Sequence, residues 1–154
     1  MILRKKQKNK GIALLFSVLL SSIILTIALG VSSLAFKEIQ FGTSAKTTNE
    51  AFFAADAGME CALYNDRTSS NVFVATSPDP IVCQSGTVVV ISSAYPLWNF
   101  VLSGLGPQNQ ACANITVDKS TPTTQISSKG YNVGDVNCNY PSLSRIERRL
   151  DVTK

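Results

Sequence analysis

The chain contains four cysteines and no histidine, which limits the chemistry that its side chains can perform. Without histidine, neither Ser-His-Asp nor Cys-His catalysis is available, and no metal site can use an imidazole ligand. No two cysteines have the CxxC spacing of a zinc site. An even number of cysteines outside a membrane instead favours two disulfides formed in an oxidising compartment. The cysteines are Cys61, Cys83, Cys112 and Cys138.

The remaining polar residues show no arrangement typical of an active site. No glycine-rich phosphate loop is present, and the aspartates beyond residue 66 stand singly. Segment 132–135 (NVGD) has the composition of a turn, with calcium binding as the less favoured alternative. Segment 114–116 (NIT) matches a glycosylation sequon, a pattern too short to carry weight alone. We therefore predict that the protein is not an enzyme and holds no metal and no cofactor.

The net charge of +4 is concentrated at the amino terminus. Five of the 14 lysines and arginines lie within the first ten residues, with no acidic residue among them. The other nine are set against 10 aspartates and glutamates, so the rest of the chain carries a net charge near −1. Because nucleic-acid binding needs basic residues clustered on the folded surface, this distribution argues against a nucleic-acid partner. The early basic residues are Arg4, Lys5, Lys6, Lys8 and Lys10.

Residues 11–36, called here the apolar segment, form a run of 26 residues without charge or proline. As a helix the run would be roughly 39 Å long at about 1.5 Å per residue. The hydrocarbon core of a bilayer is about 30 Å thick, so the segment is long enough to span it with some tilt. Five basic residues precede the segment, whereas on its other side the single Lys37 is followed directly by the acidic Glu38. This asymmetry predicts a cytoplasmic amino terminus and a translocated remainder.

Three interpretations of the apolar segment remain open. The first is a cleaved signal peptide with a small-x-small site at 33–35 (SLA), although the run is longer than the usual h-region of about 7–15 residues. The second is a plain signal anchor. The third is a helix that begins in the bilayer and later lines the core of a filament.

Small residues share one face of the apolar segment. Their spacings are four, four and three residues, and small side chains on one face favour close packing of another helix. The alternative is that the hydroxyls only bond to the preceding turn of their own helix. These residues are Ser22, Thr26, Gly30 and Ser33.

Residues 37–66 favour a continuation of the helix, because no proline interrupts them and alanine is frequent. An apolar stripe along this part predicts packing against a sheet. We therefore predict one helix from about residue 11 to about residue 64, with its first half in lipid and its second half on a globular head. The stripe comprises Phe52, Ala55, Met59, Ala62 and Leu63.

Beyond Asp66 the composition changes to serine, threonine, asparagine, proline and glycine, and short β-prone runs appear between turn signals. They predict antiparallel strands at 87–92, 114–118, 123–127 and 145–152. In the last run Arg148 shares a face with Leu150, which indicates the edge of a sheet or a position partly open to water. Segment 95–105 holds the only tryptophan and is interpreted as core, with an exposed adhesive patch as the alternative.

Three segments resemble those of type IV pilins and of the pseudopilins of type II secretion. Residues 10–16 (KGIALLF) resemble a class III signal, in which a basic leader ends in glycine and the apolar helix follows at once. Segment 51–63 (AFFAADAGMECAL) resembles the helix of PilX-like and GspK-like minor pilins. Residues 128–131 (SKGY) and 145–148 (RIER) resemble the tail of such proteins. The resemblance covers the first 66 residues well and the last 30 loosely.

The resemblance implies a maturation step and a domain plan. A prepilin peptidase would cut between Gly11 and Ile12 on the cytoplasmic side and methylate the new amino terminus. Residues 1–11 would be the leader, 12–36 a transmembrane and filament-core helix, 37–66 its amphipathic continuation, and 67–154 a disulfide-linked, β-rich head. The expected fold is α+β and pilin-like, with the long N-terminal helix packed on a small antiparallel sheet.

The resemblance also bears on how the cysteines pair, since four cysteines allow three connectivities. It favours Cys61 with Cys83, which would clip the end of the helix to the following loop. It further favours Cys112 with Cys138, which would close a C-terminal loop as in many pilin heads.

The first residues of the mature chain would depart from the common pilin pattern. Most pilins begin with phenylalanine and have glutamate at the fifth position, where this chain has Ile12 and Phe16. PilX-like and GspK-like proteins often lack that glutamate, so the departure favours a minor subunit. The implied partners are the membrane, other pilin subunits contacted through the N-terminal helix, the prepilin peptidase and the inner-membrane assembly platform.

The implied location is first the cytoplasmic membrane, as a single-pass protein with its head outside, and then the cell surface within the filament. The alternative function is a membrane-anchored or secreted extracytoplasmic binding or adhesion protein with no filament role. Such a protein would share the anchor and the disulfides, but it would not be cut after Gly11.

Overall fold

A computed structural model of the chain describes residues 10–67, 72–74, 80–141 and 143–154. Within these residues the chain forms a long helix followed by an antiparallel sheet, which confirms the predicted α+β class. The sheet has the strand order β1-β2-β3-β4-β5. The elements are α1 (Lys10–Arg67), β1 (Thr87–Ala94), β2 (Leu97–Leu105), β3 (Ala111–Asp118), β4 (Gln125–Tyr131) and β5 (Glu147–Thr153).

The chain divides into two compact units, Met1–Thr43 and Ser44–Lys154. The described part of the first unit is helical from Lys10 onward. The second unit, called here the head unit, contains the remainder of α1 and the whole sheet.

The last turn of α1 extends beyond the predicted end near residue 64, to Arg67. Asn65 accounts for this extension. Its side-chain amide donates to the carbonyl oxygen of Cys61 at 2.8 Å and to that of Val82 at 2.9 Å, while its Oδ1 accepts from the Val82 amide at 3.2 Å. The returning chain therefore supplies hydrogen bonds that hold the final turn in place.

Small residues on α1 form the face that packs on the sheet. Ala51, Ala55 and Ala62 are fully buried, and Gly58 lies between them. A Cβ added to Gly58 would stand 2.6 Å from Ser128 Oγ and 2.9 Å from Ile115 Cγ1, so helix and sheet are in close contact there.

The predicted apolar stripe was partly wrong. Met59, Ala55 and Ala62 are buried as expected, and the partly buried Leu63 packs against the core, but Phe52 is 44% exposed. The prediction followed the largest apolar residues. The helix and the sheet are instead so close that the buried positions at their contact are occupied by small residues.

The main core lies between α1 and one face of the sheet. Phe73 is fully buried there, with its ring 5.6 Å from that of Trp98 in an edge-on arrangement and 6.3 Å from that of Phe100 in a stacked one. A smaller cluster on the opposite face joins Val101 to Cys112, Cys138 and Tyr131.

Segment 95–105 is core, as interpreted, and most of it forms β2, a strand that was not predicted. β2 lies second in the sheet and is buried on both faces, so its sequence lacks the alternation that marks a half-exposed strand. Of its large apolar residues, Leu97 alone remains substantially exposed, at 40%; Tyr95, in the turn before the strand, is 60% exposed.

The other four strands lie where they were predicted, but the bounds of each differ from the prediction. β1 and β3 are longer than predicted, and β4 is shifted toward the C-terminus because it continues through Gly130 to pair with β5. The indication of a sheet edge is confirmed, since β5 is an outermost strand and Arg148 is exposed on it.

Candidate functional site

The predicted processing junction lies at the beginning of α1. The helix starts at Lys10, and no atom outside the immediate backbone lies within 4 Å of the position that a Cβ on Gly11 would occupy. Ile12 is 59% exposed. The rest of the predicted leader, residues 1–9, lies outside the described residues. The junction is thus open on all sides within the part of the chain that the structure describes.

The apolar segment presents its side chains outward. Its large hydrophobic residues are between 52% exposed, at Leu19, and 67% exposed, at Leu14; Phe16 is 65% exposed. The most apolar stretch of α1 has a mean hydropathy of 2.7. The chain therefore has, near its amino terminus, a helix that is long and apolar enough to cross a membrane.

The hydroxyl groups of the apolar segment bond within their own helix. Ser22 donates to the Leu19 carbonyl at 2.8 Å, and Thr26 and Ser33 make the same bond one turn back, at 2.8 and 2.9 Å. This is the alternative weighed for these residues above. Each hydroxyl group donates its hydrogen within its own helix. The helix face with these small side chains therefore presents no unpaired donor to lipid or to a neighbouring helix.

Exposed aromatic side chains continue along α1 beyond the apolar segment. Phe41 is 75% exposed, Phe52 44% and Phe53 65%. The rings of Phe52 and Phe53 lie edge to face, with centroids 6.0 Å apart. Large exposed apolar side chains are thus not confined to the apolar segment of α1.

Two disulfides tie the head unit together. Cys61 in α1 is bonded to Cys83, with a Cα–Cα distance of 5.2 Å, and Cys112 in β3 is bonded to Cys138, with a Cα–Cα distance of 5.6 Å. These are the two pairs that the resemblance favours. The first fixes the last turns of α1 to the chain entering the sheet, and the second fixes the turn at 135–139 to the sheet.

Asp66 forms an ionic cluster that the sequence did not reveal. Its side chain is 3% exposed, with Oδ1 2.6 Å from Lys119 Nζ and Oδ2 3.0 Å from Lys154 Nζ. Burial by itself raises the pKa of the Asp66 carboxyl, but hydrogen bonds and attraction from the two ammonium groups outweigh it, and the pKa lies below its ordinary value. An acid in the last helical turn opposes the helix dipole, which is a signal that it has a tertiary partner.

Arg145 links the C-terminal disulfide loop to the sheet through contacts with Cys138 and Tyr131. Its guanidinium carbon stands 3.7 Å from the centre of the Tyr131 ring, and its terminal nitrogen donates to the Cys138 carbonyl at 2.7 Å. Tyr131 donates to Glu147 Oε2 at 2.8 Å, and burial together with this bond raises the pKa of the phenol to about 12. Tyr131 therefore stays protonated and keeps its donor at any physiological pH.

The weaker sequence candidates have structural roles. Asp135 Oδ1 accepts from the amides of Asn137 at 2.9 Å and Asn139 at 2.7 Å, so the turn interpretation of 132–135 accounts for it. Asn114, in the sequon, lies within β3 at the centre of the sheet. Among the described residues, no group of three or more Cys, Asp and Glu is placed to hold a metal ion.

No protein-family model, curated protein or solved structure matches this chain. Its architecture, a long apolar N-terminal helix followed by an antiparallel sheet packed on the helix, is compatible with a pilin-like fold in general terms.

Proposed function

We propose that this chain is a minor pilin-like subunit of a type IV pilus or a related filament. It enters the cytoplasmic membrane as a precursor with its head outside, a prepilin peptidase removes residues 1–11, and the N-terminal helix packs among those of other subunits. The observation that carries the proposal is the continuity of α1, in which an exposed, uncharged segment runs without a break into a part packed on a disulfide-linked head.

The exposed aromatics beyond the apolar segment favour a filament over a simple anchor. A bilayer core of about 30 Å takes about 20 helical residues, which the apolar segment alone supplies. A protein that was only anchored would leave Phe41, Phe52 and Phe53 in water. A filament in which helices pack side by side buries such rings, and at about 25 cal/mol per Å² their burial favours assembly.

Intact mass and N-terminal sequencing of the membrane-extracted protein test the proposal, after co-expression with a prepilin peptidase. We expect a chain that starts at Ile12 and carries one added methyl group. The variant Gly11→Val should stay uncut. The matched control is Gly30→Val, which makes the same change in the same helix at a position equally free of neighbouring atoms and should be processed normally.

Other outcomes identify other functions. A chain that starts at Phe36 would show an ordinary signal peptide and a secreted protein. A chain that keeps residues 1–11 in the presence of an active peptidase would show a plain membrane anchor. Either result would refute the filament proposal.

A further inference from the structure

The two disulfides of the head unit differ in how easily a reagent can reach them. Cys112 and Cys138 are fully buried, and Gly134 packs directly against Cys112 Sγ. Cys83 is only partly buried, and it lines a surface cavity together with Cys61. This cavity, called here the disulfide cavity, lies between α1 and residues 82–85 and has a volume of about 300 Å³. A small thiol can therefore enter beside one disulfide, while the other becomes accessible only when the head unit opens.

The surroundings of Cys61 favour it as the sulfur that leaves when the bond is attacked. Asn65 Nδ2 lies 3.6 Å from Cys61 Sγ, so the amide donor stabilises negative charge that develops on this sulfur. Cys61 Sγ also lies 3.9 Å from the carbonyl oxygen of Val82, which can accept a weak hydrogen bond once the sulfur is a thiol. Cys61 is only 6% exposed, so Cys83 is the sulfur that an entering reagent meets first.

The Cys61–Cys83 bond can open without releasing the chain that it ties to α1. Beside the bond, the Asn65 side chain holds the backbone of Val82 by two hydrogen bonds, at 2.9 and 3.2 Å. Ile81, one residue earlier, is buried in the main core. Because these contacts do not involve the sulfur atoms, we expect the chain that enters β1 to stay in place after the disulfide opens.

The charge beside the disulfide cavity selects among small thiols. Glu60 is exposed and is the one formally charged residue in the described lining. Arg67, nearly two helical turns away, lines a separate cavity. The attacking species is a thiolate, so a second negative charge on the reagent would be repelled by Glu60, whereas an ammonium group would be attracted. The cavity therefore favours an aminothiol over a carboxylated thiol.

We propose that the Cys61–Cys83 bond is a thiol-exchange site, at which a small aminothiol forms a mixed disulfide with Cys83. The reagent thiolate attacks Cys83 Sγ, a new S–S bond forms, and the bond between Cys83 and Cys61 breaks. Cys61 leaves as a thiolate and takes one proton from water. The reagent sulfur is oxidised and Cys61 is reduced, so no further oxidant or reductant is consumed. The proposal does not depend on filament assembly, since the site lies wholly in the head unit.

The test treats the full chain in detergent with cysteamine for short times. The reaction is stopped with acid, free thiols are blocked with a maleimide, and the peptides are mapped by mass spectrometry without reduction. We expect cysteamine on Cys83, maleimide on Cys61 and an intact bond between Cys112 and Cys138. The buried disulfide should open at least about ten-fold more slowly, because its exchange requires opening of the head unit.

Two single substitutions test which sulfur is attacked. Cys61→Ser leaves Cys83 as a free thiol, and Cys83→Ser leaves Cys61. With dithiodipyridine, a neutral reagent whose reaction is followed by absorbance, the thiol of Cys61→Ser should react about ten-fold faster than that of Cys83→Ser, because Cys83 is the more exposed of the two sites.

A third substitution tests the selection by charge. Glu60→Gln should speed exchange with mercaptopropionate, relative to exchange with cysteamine, by about two- to five-fold. The matched control is Glu50→Gln, which makes the same change in α1 at a residue that pairs with Lys46 and does not line the cavity. This control should leave the ratio of the two rates unchanged.

Four results would overturn the proposal. They are opening of both disulfides at the same rate, no opening of either, cysteamine attached to Cys61 in place of Cys83, and an equal effect of Glu60→Gln on the two thiols. Normal processing after Gly11 alongside any of them would leave the proposed function standing.

Discussion

Asp66 shows how surroundings decide the role of a single side chain. It lies at the end of α1, and its two lysine partners come from distant parts of the chain, Lys119 just after β3 and Lys154 just after β5. Sequence reasoning could place each residue near the end of an element, but it could not bring the three together. Their meeting depends on the strand order, which aligns the ends of β3 and β5 beside the last turn of α1.

The Asp66 cluster should make the head unit sensitive to acid. Because the folded-state pKa of Asp66 is below its ordinary value of 3.8, the ionised form stabilises the fold above that pH. The contribution is lost as the pH falls through the lower, folded-state pKa. Asp66→Asn should lower the free energy of unfolding at neutral pH by about 1–3 kcal/mol and flatten its dependence on pH below about 4.

Thermal unfolding followed by near-ultraviolet circular dichroism between neutral pH and pH values below about 3 measures this effect. The matched control is Asp151→Asn, which breaks an ion pair that is exposed on both sides and should leave stability nearly unchanged. Equal losses in the two variants at neutral pH would show that the buried position of Asp66 has no special importance.

The existence of a helix or strand was easier to predict than which of its residues face the core. Absence of proline and abundance of alanine were enough to predict α1 nearly in full. β2 was missed because a strand buried on both faces has no alternation to detect. Phe52 was misplaced because hydrophobicity ranks phenylalanine above alanine, whereas the helix face that meets β4 carries the buried Ala51 and Ala55, whose backbone atoms lie against Gly130.

Gly130 in β4 should be the least replaceable residue of the contact between helix and sheet. A Cβ there would collide with the carbonyl oxygen of Ala51 and with the backbone of Ala55. Backbone atoms of a helix cannot rotate away as a side chain can, so either α1 or β4 must move. We expect Gly130→Ala to lower the free energy of unfolding of the head unit by about 1–3 kcal/mol, the usual cost of overpacking.

Chemical denaturation of the head unit, monitored by Trp98 fluorescence, measures this change. Gly42→Ala makes the same substitution in α1 where no atom lies within 4 Å of the new methyl, and because alanine is the better helix former it should not lower head stability. An unchanged midpoint for Gly130→Ala would mean that helix and sheet are farther apart than the structure places them.

For the whole molecule, the sequence locates the exposed apolar surface of α1 better than it locates the residues that share a face of the sheet. A run without charge or proline is readable at once, and it is the run that the structure leaves exposed. Each face of the sheet depends on which residues stand opposite one another across the strands. Asn114 and Lys129 are separated by 15 residues in the chain, and only the β3–β4 register brings them face to face.

The position of the subunit within a filament should depend on Phe16. In the type IV pilins that the chain resembles, glutamate at the fifth mature position neutralises the N-terminal amine of a neighbouring helix in the apolar filament core. An unpaired charge there costs several kcal/mol. Here the first acidic residue after the cut would be Glu38, so this subunit offers no partner charge from its first turns. As the filament subunit proposed above, the chain would suit an end of the filament, where no neighbour's amine needs compensation.

Immunogold labelling of the head tests this position. We expect sparse label near filament ends for the unmodified subunit and more label along the shaft for Phe16→Glu. Phe16→Gln is the matched control, because it removes the ring and adds a side chain with the shape of glutamate but without its charge. We expect this variant to show the same labelling as the unmodified subunit. Uniform label along the shaft before any substitution would refute an end position. Equal redistribution by the glutamine variant would show that loss of the ring, and not the missing charge, decides where the subunit sits.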